Sequence, residues 1–236
     1  MMEQFYKAWQ HAFKLDPDKE ISDEHLDMLC MSGTDAIIIG GSSGVTFENT
    51  VDLLSRVRRY SLDCALEVST MESAVPGFDG YFVPFVVNTE NVDWLMGQQL
   101  NGLKEYGPFI PWEMTVASAY LILNEQCTAA KLTEAKADLR GQDVIPYVWL
   151  ADRLWRMPIL YVENSGQFGD MNTLRLIADE LQQAHLIYGG GITDAKLAGQ
   201  AAQYAHTTVV GNIVYENIDA ALATVEAVKQ VRHNNS

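Results

Sequence analysis

The chain has 236 residues, 48% of them apolar and 20% charged, with a formal charge of −15 at neutral pH. A chain of this size buries a full core as one α/β barrel or as two small domains, while its acidic balance repels nucleic-acid phosphates and argues against nucleic acid as a partner. The richest apolar runs, Val116–Leu123 and Ile145–Leu150, are far too short to span a bilayer, and Met1–Lys14 mixes Glu, Gln, Lys and His where a signal peptide is continuously apolar, so the expectation is a soluble, cytoplasmic protein.

Short β-branched or aromatic runs that end in small or polar residues predict strands. In chain order they are Ala12–Asp16, Asp35–Gly40, Cys64–Val68, Tyr81–Val86, Val116–Leu123, Ile159–Glu163, Leu186–Tyr188 and Thr207–Val210. Amphipathic segments of helical length lie between most of them: Ser22–Ser32, Glu48–Tyr60, Asn91–Tyr106, Gly141–Arg156, Met171–Gln183, Asp194–Tyr204 and Asn217–Val231. The first opens on Ser-Asp-Glu, a helix start, and the second spaces Val51, Leu54 and Val57 along one face. Ser69–Gly80, with Pro76 and two glycines, is too irregular for a crossover helix and predicts an extended or short-helical connection. Thr128–Asp138 is the segment the pattern reads least clearly. The alternation predicts one α/β domain over residues 1–236, closed as a (β/α)8 TIM barrel with an irregular connection in place of the helix after the third strand; a doubly wound open sheet is the alternative.

Polar and glycine-rich motifs stand at the C-terminal ends of several predicted strands, where barrels of this kind build their sites. Gly189-Gly190-Gly191 closes the seventh strand and Gly211-Asn212 the eighth, the pair of loops that holds phosphate with backbone amides in this fold, although three glycines also make a tight turn. Ser165 and Gly166, after the sixth strand, add a hydroxyl and an amide for the same anion. On the first strand, Lys14 and Asp16 share a face, offering an ammonium for a substrate oxygen and a carboxylate for a cation, unless they form only a solvated ion pair. Ser42 ends the neighbouring strand, and an aspartate with a hydroxyl suffices for Mg²⁺, which keeps most positions for water and phosphate. Tyr161 and Glu163 share a face two residues apart, where the carboxylate can take the proton of an attacking hydroxyl; a structural pairing with a buried lysine is the alternative. Glu67 is a weaker candidate. The five histidines show no ligand spacing, and the three cysteines are odd in number, widely spaced and without a CxxC pair, as expected of buried small hydrophobes.

Taken in order, these motifs resemble the geranylgeranylglyceryl and heptaprenylglyceryl phosphate synthase family, particularly its bacterial heptaprenyl branch. The resemblance runs through FKLDP at Phe13–Pro17, SGTDAIIIGGS at Ser32–Ser42, VPGFDGYFVP at Val75–Pro84, EYG at Glu105–Gly107, YGGGI at Tyr188–Ile192 and VVGNIVYE at Val209–Glu216. It implies a Mg²⁺-dependent prenyltransferase that joins the glycerol hydroxyl of sn-glycerol-1-phosphate to an allylic polyprenyl group, releasing diphosphate. It also implies that Lys14, the stretch Tyr161, Val162, Glu163, Asn164, Ser165 and Gly166, and Gly191, Gly211 and Asn212 bind glycerol phosphate, and that Asp16 and Ser42 hold the metal. Asn164 departs from the pattern, which usually has Tyr there in YLEYSG. Gly102, in the predicted helix Asn91–Tyr106, corresponds to a position where shorter-chain relatives carry Trp, which implies a prenyl groove left open along roughly 24 Å of helix. A homodimer and transient contact with the membrane surface are implied as well. Without the resemblance, the motifs also fit another phosphate-handling barrel enzyme, such as an isomerase or lyase, or a noncatalytic barrel that binds a phosphorylated metabolite.

Overall fold

The computed structural model describes residues 5–233, with the side chains of residues 232 and 233 left out. The expectation about Met1–Lys14 therefore falls partly outside the described residues. Eight parallel strands form a closed barrel: β1 (His11–Leu15), β2 (Ala36–Ile39), β3 (Asp63–Glu67), β4 (Gly80–Val86), β5 (Thr115–Ile122), β6 (Ile159–Glu163), β7 (His185–Gly189) and β8 (Thr207–Val210). Each strand pairs with its neighbours in sequence, and β8 returns to β1 through Val209 opposite Ala12, so the closed alternative holds over the open sheet. The open sheet would leave two edges; closure leaves none.

Alternation along the strands sorts the core into two layers. Ala12, Ile38, Ala65, Phe82, Tyr120, Tyr161, Ile187 and Val209 fill the barrel interior. Phe13, Leu15, Ile37, Ile39, Leu66, Leu121, Val162, Leu186 and Val210 face outward and are covered by helices. These helices are α1 (Asp23–Met31), α2 (Phe47–Val57), α3 (Gln98–Tyr106), α4 (Thr128–Thr133), α5 (Ile145–Trp149), α6 (Met171–Glu180), α7 (Ala195–Ala202), α8 (Ile213–Glu216) and α9 (Ile218–His233). Several begin on side-chain caps that satisfy their first amides: Ser22 accepts from the His25 N–H, Thr46 and Asn49 cap each other, and Asp170 accepts from Asn172 and Thr173.

The helical connections agree with the sequence reading in one place and differ from it in others. Residues 68–79 contain no helix, in line with the irregular connection expected there. The helix expected over Gly141–Arg156 is divided into a 3-10 turn (Gly141–Val144), α5 and a π turn (Leu150–Leu154), with Pro146 setting the start of α5. Asn91–Tyr106 likewise opens with a π turn (Asp93–Gly97) before α3. The short α8 was hidden in the VVGNIVYE motif, and α4 lies in the segment the pattern read least clearly.

The N-terminal end of the barrel is plugged, which leaves the other end for chemistry. Tyr6 and Trp9 are buried under the strands, each in edge contact with Phe82, and the Trp9 indole donates to Asp63 Oδ2 at 2.9 Å. No described helix is long and apolar enough to cross a membrane.

Candidate functional site

At the open end, inward-facing residues of four strands meet across the barrel. Lys14 on β1 places its Nζ 2.7 and 2.9 Å from the two carboxylate oxygens of Glu67 on β3. The Tyr120 hydroxyl on β5 donates a hydrogen bond to Glu67 Oε2. Its ring stacks on Tyr161 of β6, with centroids 4.6 Å apart and planes within 4°, because the register sets the two residues directly opposite. The Lys14 ammonium sits 5.7 Å from the Tyr161 ring centroid. Glu163, two residues further along β6, accepts the Ser165 N–H at 2.6 Å. The structure thus assigns the buried partner of Lys14 to Glu67, and Glu163 remains bound to the backbone of its own loop.

Electrostatics follow from this burial. Desolvation lifts the Glu163 carboxyl above the ordinary carboxylate range, with the Lys14 charge and the Ser165 donors pulling the other way. Burial by itself would lower the Lys14 pKa, but the Glu67 and Glu163 carboxylates outweigh it and raise the group above an ordinary lysine. The Tyr120 and Tyr161 phenols are pushed far up by burial, so both are neutral donors at physiological pH.

The loops around this layer are set by close backbone approach. Gly191 has φ +58°, and a Cβ there would lie 2.0 Å from the Phe168 nitrogen, so the β7 loop reaches the β6 loop only with glycine at this position. The Tyr188 hydroxyl ties the same two loops, accepting from the Gly169 N–H at 2.8 Å and donating to the Gly190 carbonyl at 3.0 Å. Gly211 differs: a Cβ there would meet only ordinary contacts, the nearest being the Lys14 carbonyl oxygen at 3.8 Å. Asn212 is exposed beside it, and its Oδ1 accepts from Lys19 Nζ at 3.1 Å.

Asp16 follows β1 and is half-buried, its backbone held by the Tyr215 hydroxyl of α8 at 2.8 Å. Burial raises its carboxyl pKa, while the Asp18 amide, donating to Oδ1 at 3.0 Å, opposes the rise. A Cβ on Gly41 would fall 2.3 Å from Asp16 Oδ1, so the glycine end of β2 leaves a cradle filled by this carboxylate, with Ser42 exposed next to it. The donor set is one carboxylate and a hydroxyl. No group of three or more His, Cys, Asp or Glu that could hold a metal occurs among the described residues. Such sparse hard-oxygen ligation suits an ion that shares its shell with phosphate oxygens.

The predicted site residues fall into four groups. Lys14, Tyr161 and Glu163 come together in one layer, while Asp16, Ser42, Ser165, Gly166, Gly191, Gly211 and Asn212 lie on the loops at the same end. Val162 packs outward against the helices, with its main chain in the ladders to β5 and β7. Asn164 is buried on that outward side and borders a cleft of about 520 Å³ with Asn124, Gln167, Asp170 and Tyr188. Gly102 is buried on α3, under the connection that replaces the third helix, where a Cβ would lie 2.8 Å from Met71 Sδ. Sequence reasoning missed Tyr120, Tyr188, Lys19 and Tyr215, and underweighted Glu67. Tyr120 was within reach of it: strand parity places Ser118, Tyr120 and Ile122 on one face, two residues apart.

The chain matches the model of the PcrB family over residues 4–229. It is 53% identical over 221 residues to the heptaprenylglyceryl phosphate synthase of Bacillus cytotoxicus, covering 94% of this chain and 96% of that one. With the enzyme of the same name from Bacillus cereus it shares 51% over 222 residues, 94% and 97% of the two chains. Its fold is similar to that of (S)-3-O-geranylgeranylglyceryl phosphate synthase from Thermoplasma acidophilum, solved with sn-glycerol-1-phosphate, with a TM-score of 0.81, 23% identity and 93% of each chain covered.

Proposed function

The chain belongs to the PcrB family, and from that premise we propose how its residues divide the work of the reaction. The protein is a prenyltransferase that moves a heptaprenyl group from heptaprenyl diphosphate to the hydroxyl of sn-glycerol-1-phosphate, giving an ether lipid precursor and diphosphate. The observation that carries this reading is identity above 50% along 94% of the chain to heptaprenylglyceryl phosphate synthases.

In our assignment the acceptor lies across Lys14, Tyr161 and Glu163, with its phosphate on the amides of Ser165, Gly166, Gly191, Gly211 and Asn212. Val162 and Asn164 hold the end of β6 in register beside it, the Asn164 amide donating to the Gly189 carbonyl. The glycerol hydroxyl attacks C1 of the allylic donor: the new C–O bond forms, the bond from C1 to the diphosphate oxygen breaks, and the hydroxyl proton passes to Glu163. A carboxylate whose pKa is raised by burial is a stronger base, and an allylic electrophile needs only modest help from it. Glu67 balances the Lys14 charge and fixes its direction, so the ammonium is oriented before the acceptor arrives. Asp16 and Ser42 would hold Mg²⁺, which supplies charge neutralisation to the departing diphosphate. The whole chain, residues 1–236, acts as one catalytic domain; the family resemblance supports a homodimer and transient contact with the membrane surface.

Incubation of the purified protein with labelled sn-glycerol-1-phosphate, Mg²⁺ and a panel of prenyl diphosphates tests the assignment. Metal-dependent ether product with the longest donor preferred is expected. Saturable phosphate binding without prenyl transfer would instead favour a noncatalytic barrel, and turnover of a phosphosugar without any donor would favour an isomerase or lyase.

A further inference from the structure

The two substrates proposed above bring a phosphate and a diphosphate to the mouth of a chain with a net charge of −15. The inward ammonium, Lys14, is already paired with Glu67. Among the described residues of the β5 loop, Lys136 and Arg140 are likewise paired, with Glu90 and Asp138. Lys19 is different. It lies on the β1 loop, and none of the ion pairs among the described residues involves it.

Its ammonium nevertheless has a defined place. It spans from the β1 loop to the β8 loop, donating to Asn212 Oδ1 at 3.1 Å, and it stands 5.0 Å from the centroid of the Tyr215 ring. Tyr215 in turn holds the backbone of Asp16. The charge therefore sits between the loop assigned to the acceptor phosphate and the carboxylate assigned to the metal. An amide oxygen satisfies one of three ammonium donors, and although the charge acts on the nearby Asp16 carboxylate it makes no contact ion pair with it, so two donors stay available to an anion.

We infer that Lys19 is a phosphate-binding residue of this site, its ammonium holding a phosphoryl oxygen between the β1 and β8 loops. The inference rests on the mouth being the site of the proposed reaction. Both the acceptor monoester and the donor diphosphate present the chemistry it recognises. A charge-assisted contact of this kind is shorter and stronger than the amide contact it supplements, and is lost when the charge is removed.

Calorimetric titration of the full chain with sn-glycerol-1-phosphate and with inorganic diphosphate tests this without requiring turnover. Lys19→Gln keeps an N–H donor for Asn212 but removes the charge, and should weaken one of the two anions about tenfold. Lys19→Arg should retain affinity to within a few-fold, and the affinity of the wild type should fall more steeply with salt than that of Lys19→Gln. Selective loss of glycerol phosphate affinity identifies the acceptor monoester as the partner; selective loss for diphosphate identifies the leaving group. Unchanged affinity for both anions in Lys19→Gln would overturn the inference. So would an equal loss in the Gln and Arg variants accompanied by a lower melting temperature, which marks a structural tie. Prenyl transfer by the wild type, measured in parallel, is the separate test of the reaction: turnover with Lys19-independent anion binding sinks this inference alone.

Discussion

Glu163 and Gly211 carry opposite kinds of information about the site. Glu163 is nearly fully buried at 4% exposure, and its folded pKa lies above its unfolded value. The folded chain thus binds more protons than the unfolded one in that interval, so this residue favours the fold at low pH and the advantage disappears as pH rises through the folded pKa. At neutral pH Glu163→Gln is expected to hold or raise the melting temperature while lowering kcat by about 10²- to 10³-fold, and to abolish an acid limb whose midpoint in the wild type lies above the usual carboxylate range. A kcat–pH profile unchanged by the substitution would remove Glu163 as the base. At Gly211, where a Cβ meets only ordinary contacts, Gly211→Ala should leave thermal stability intact and raise the KM for glycerol phosphate, because the methyl obstructs only a bound ligand. Gly191→Ala, by contrast, should lower the melting temperature as well, since its φ of +58° and its 2.0 Å approach to Phe168 both resist a side chain.

Among the α-helices, α3 buries the fewest side chains. Gly102 is its one buried residue, while Leu100, Leu103 and Tyr106 stand exposed along it and Val92 and Met96 precede it. A long prenyl tail is apolar, and under the proposed function such a surface on the outside of the barrel, beside a connection with no helix, is the path it would take. Gly102→Trp should shift the ratio of kcat/KM values from heptaprenyl toward geranylgeranyl diphosphate without abolishing turnover. The indole has to displace Met71, whose sulfur would lie 2.8 Å from the new Cβ, but a flexible thioether end moves at small cost. An unchanged ratio in the folded variant would show that this position does not gate the tail. The spacing of Asn91–Tyr106 predicted this helix, and the irregular pattern of Ser69–Gly80 predicted that no helix follows β3, but the π turn at the start of the helix was not legible in that spacing.

At the scale of the whole molecule, closure depends on the first strand meeting the last helix. His11 on β1 is fully buried, with Nδ1 2.8 Å from Thr34 Oγ1 and Nε2 2.9 Å from Thr224 Oγ1 on α9. Burial lowers its pKa from 6.5 to about 3. The folded chain therefore holds the imidazole neutral where the unfolded chain protonates it, so this contribution to stability is complete above pH 6.5 and is lost as pH falls toward 3. Melting temperatures measured from pH 7 to 4 should fall, and His11→Gln should flatten that fall while lowering the plateau; an identical slope in the variant would move the acid sensitivity elsewhere.

Strand order, the two-layer core and the loops that bear the site were legible in the sequence, because each rests on a short-range regularity: alternation along a strand, amphipathic spacing along a helix, or glycine at a strand end. The identity of the partners was not. Lys14 and Glu67 are 53 residues apart, Asp16 and Tyr215 199, and Lys19 and Asn212 193. Their pairing is decided by barrel closure and by the register between strands, which bring side chains together only after every strand has found its neighbour. Sequence by itself therefore placed Lys14, Tyr161 and Glu163 on one end of the barrel, but not Tyr120, and it counted Val162 and Asn164, which turn outward, with them. The tertiary structure decided that Glu67, bridging Lys14 and Tyr120, takes up the lysine's charge while Glu163 accepts from its own loop, because only the assembled barrel fixes which carboxylate lies within reach of the ammonium.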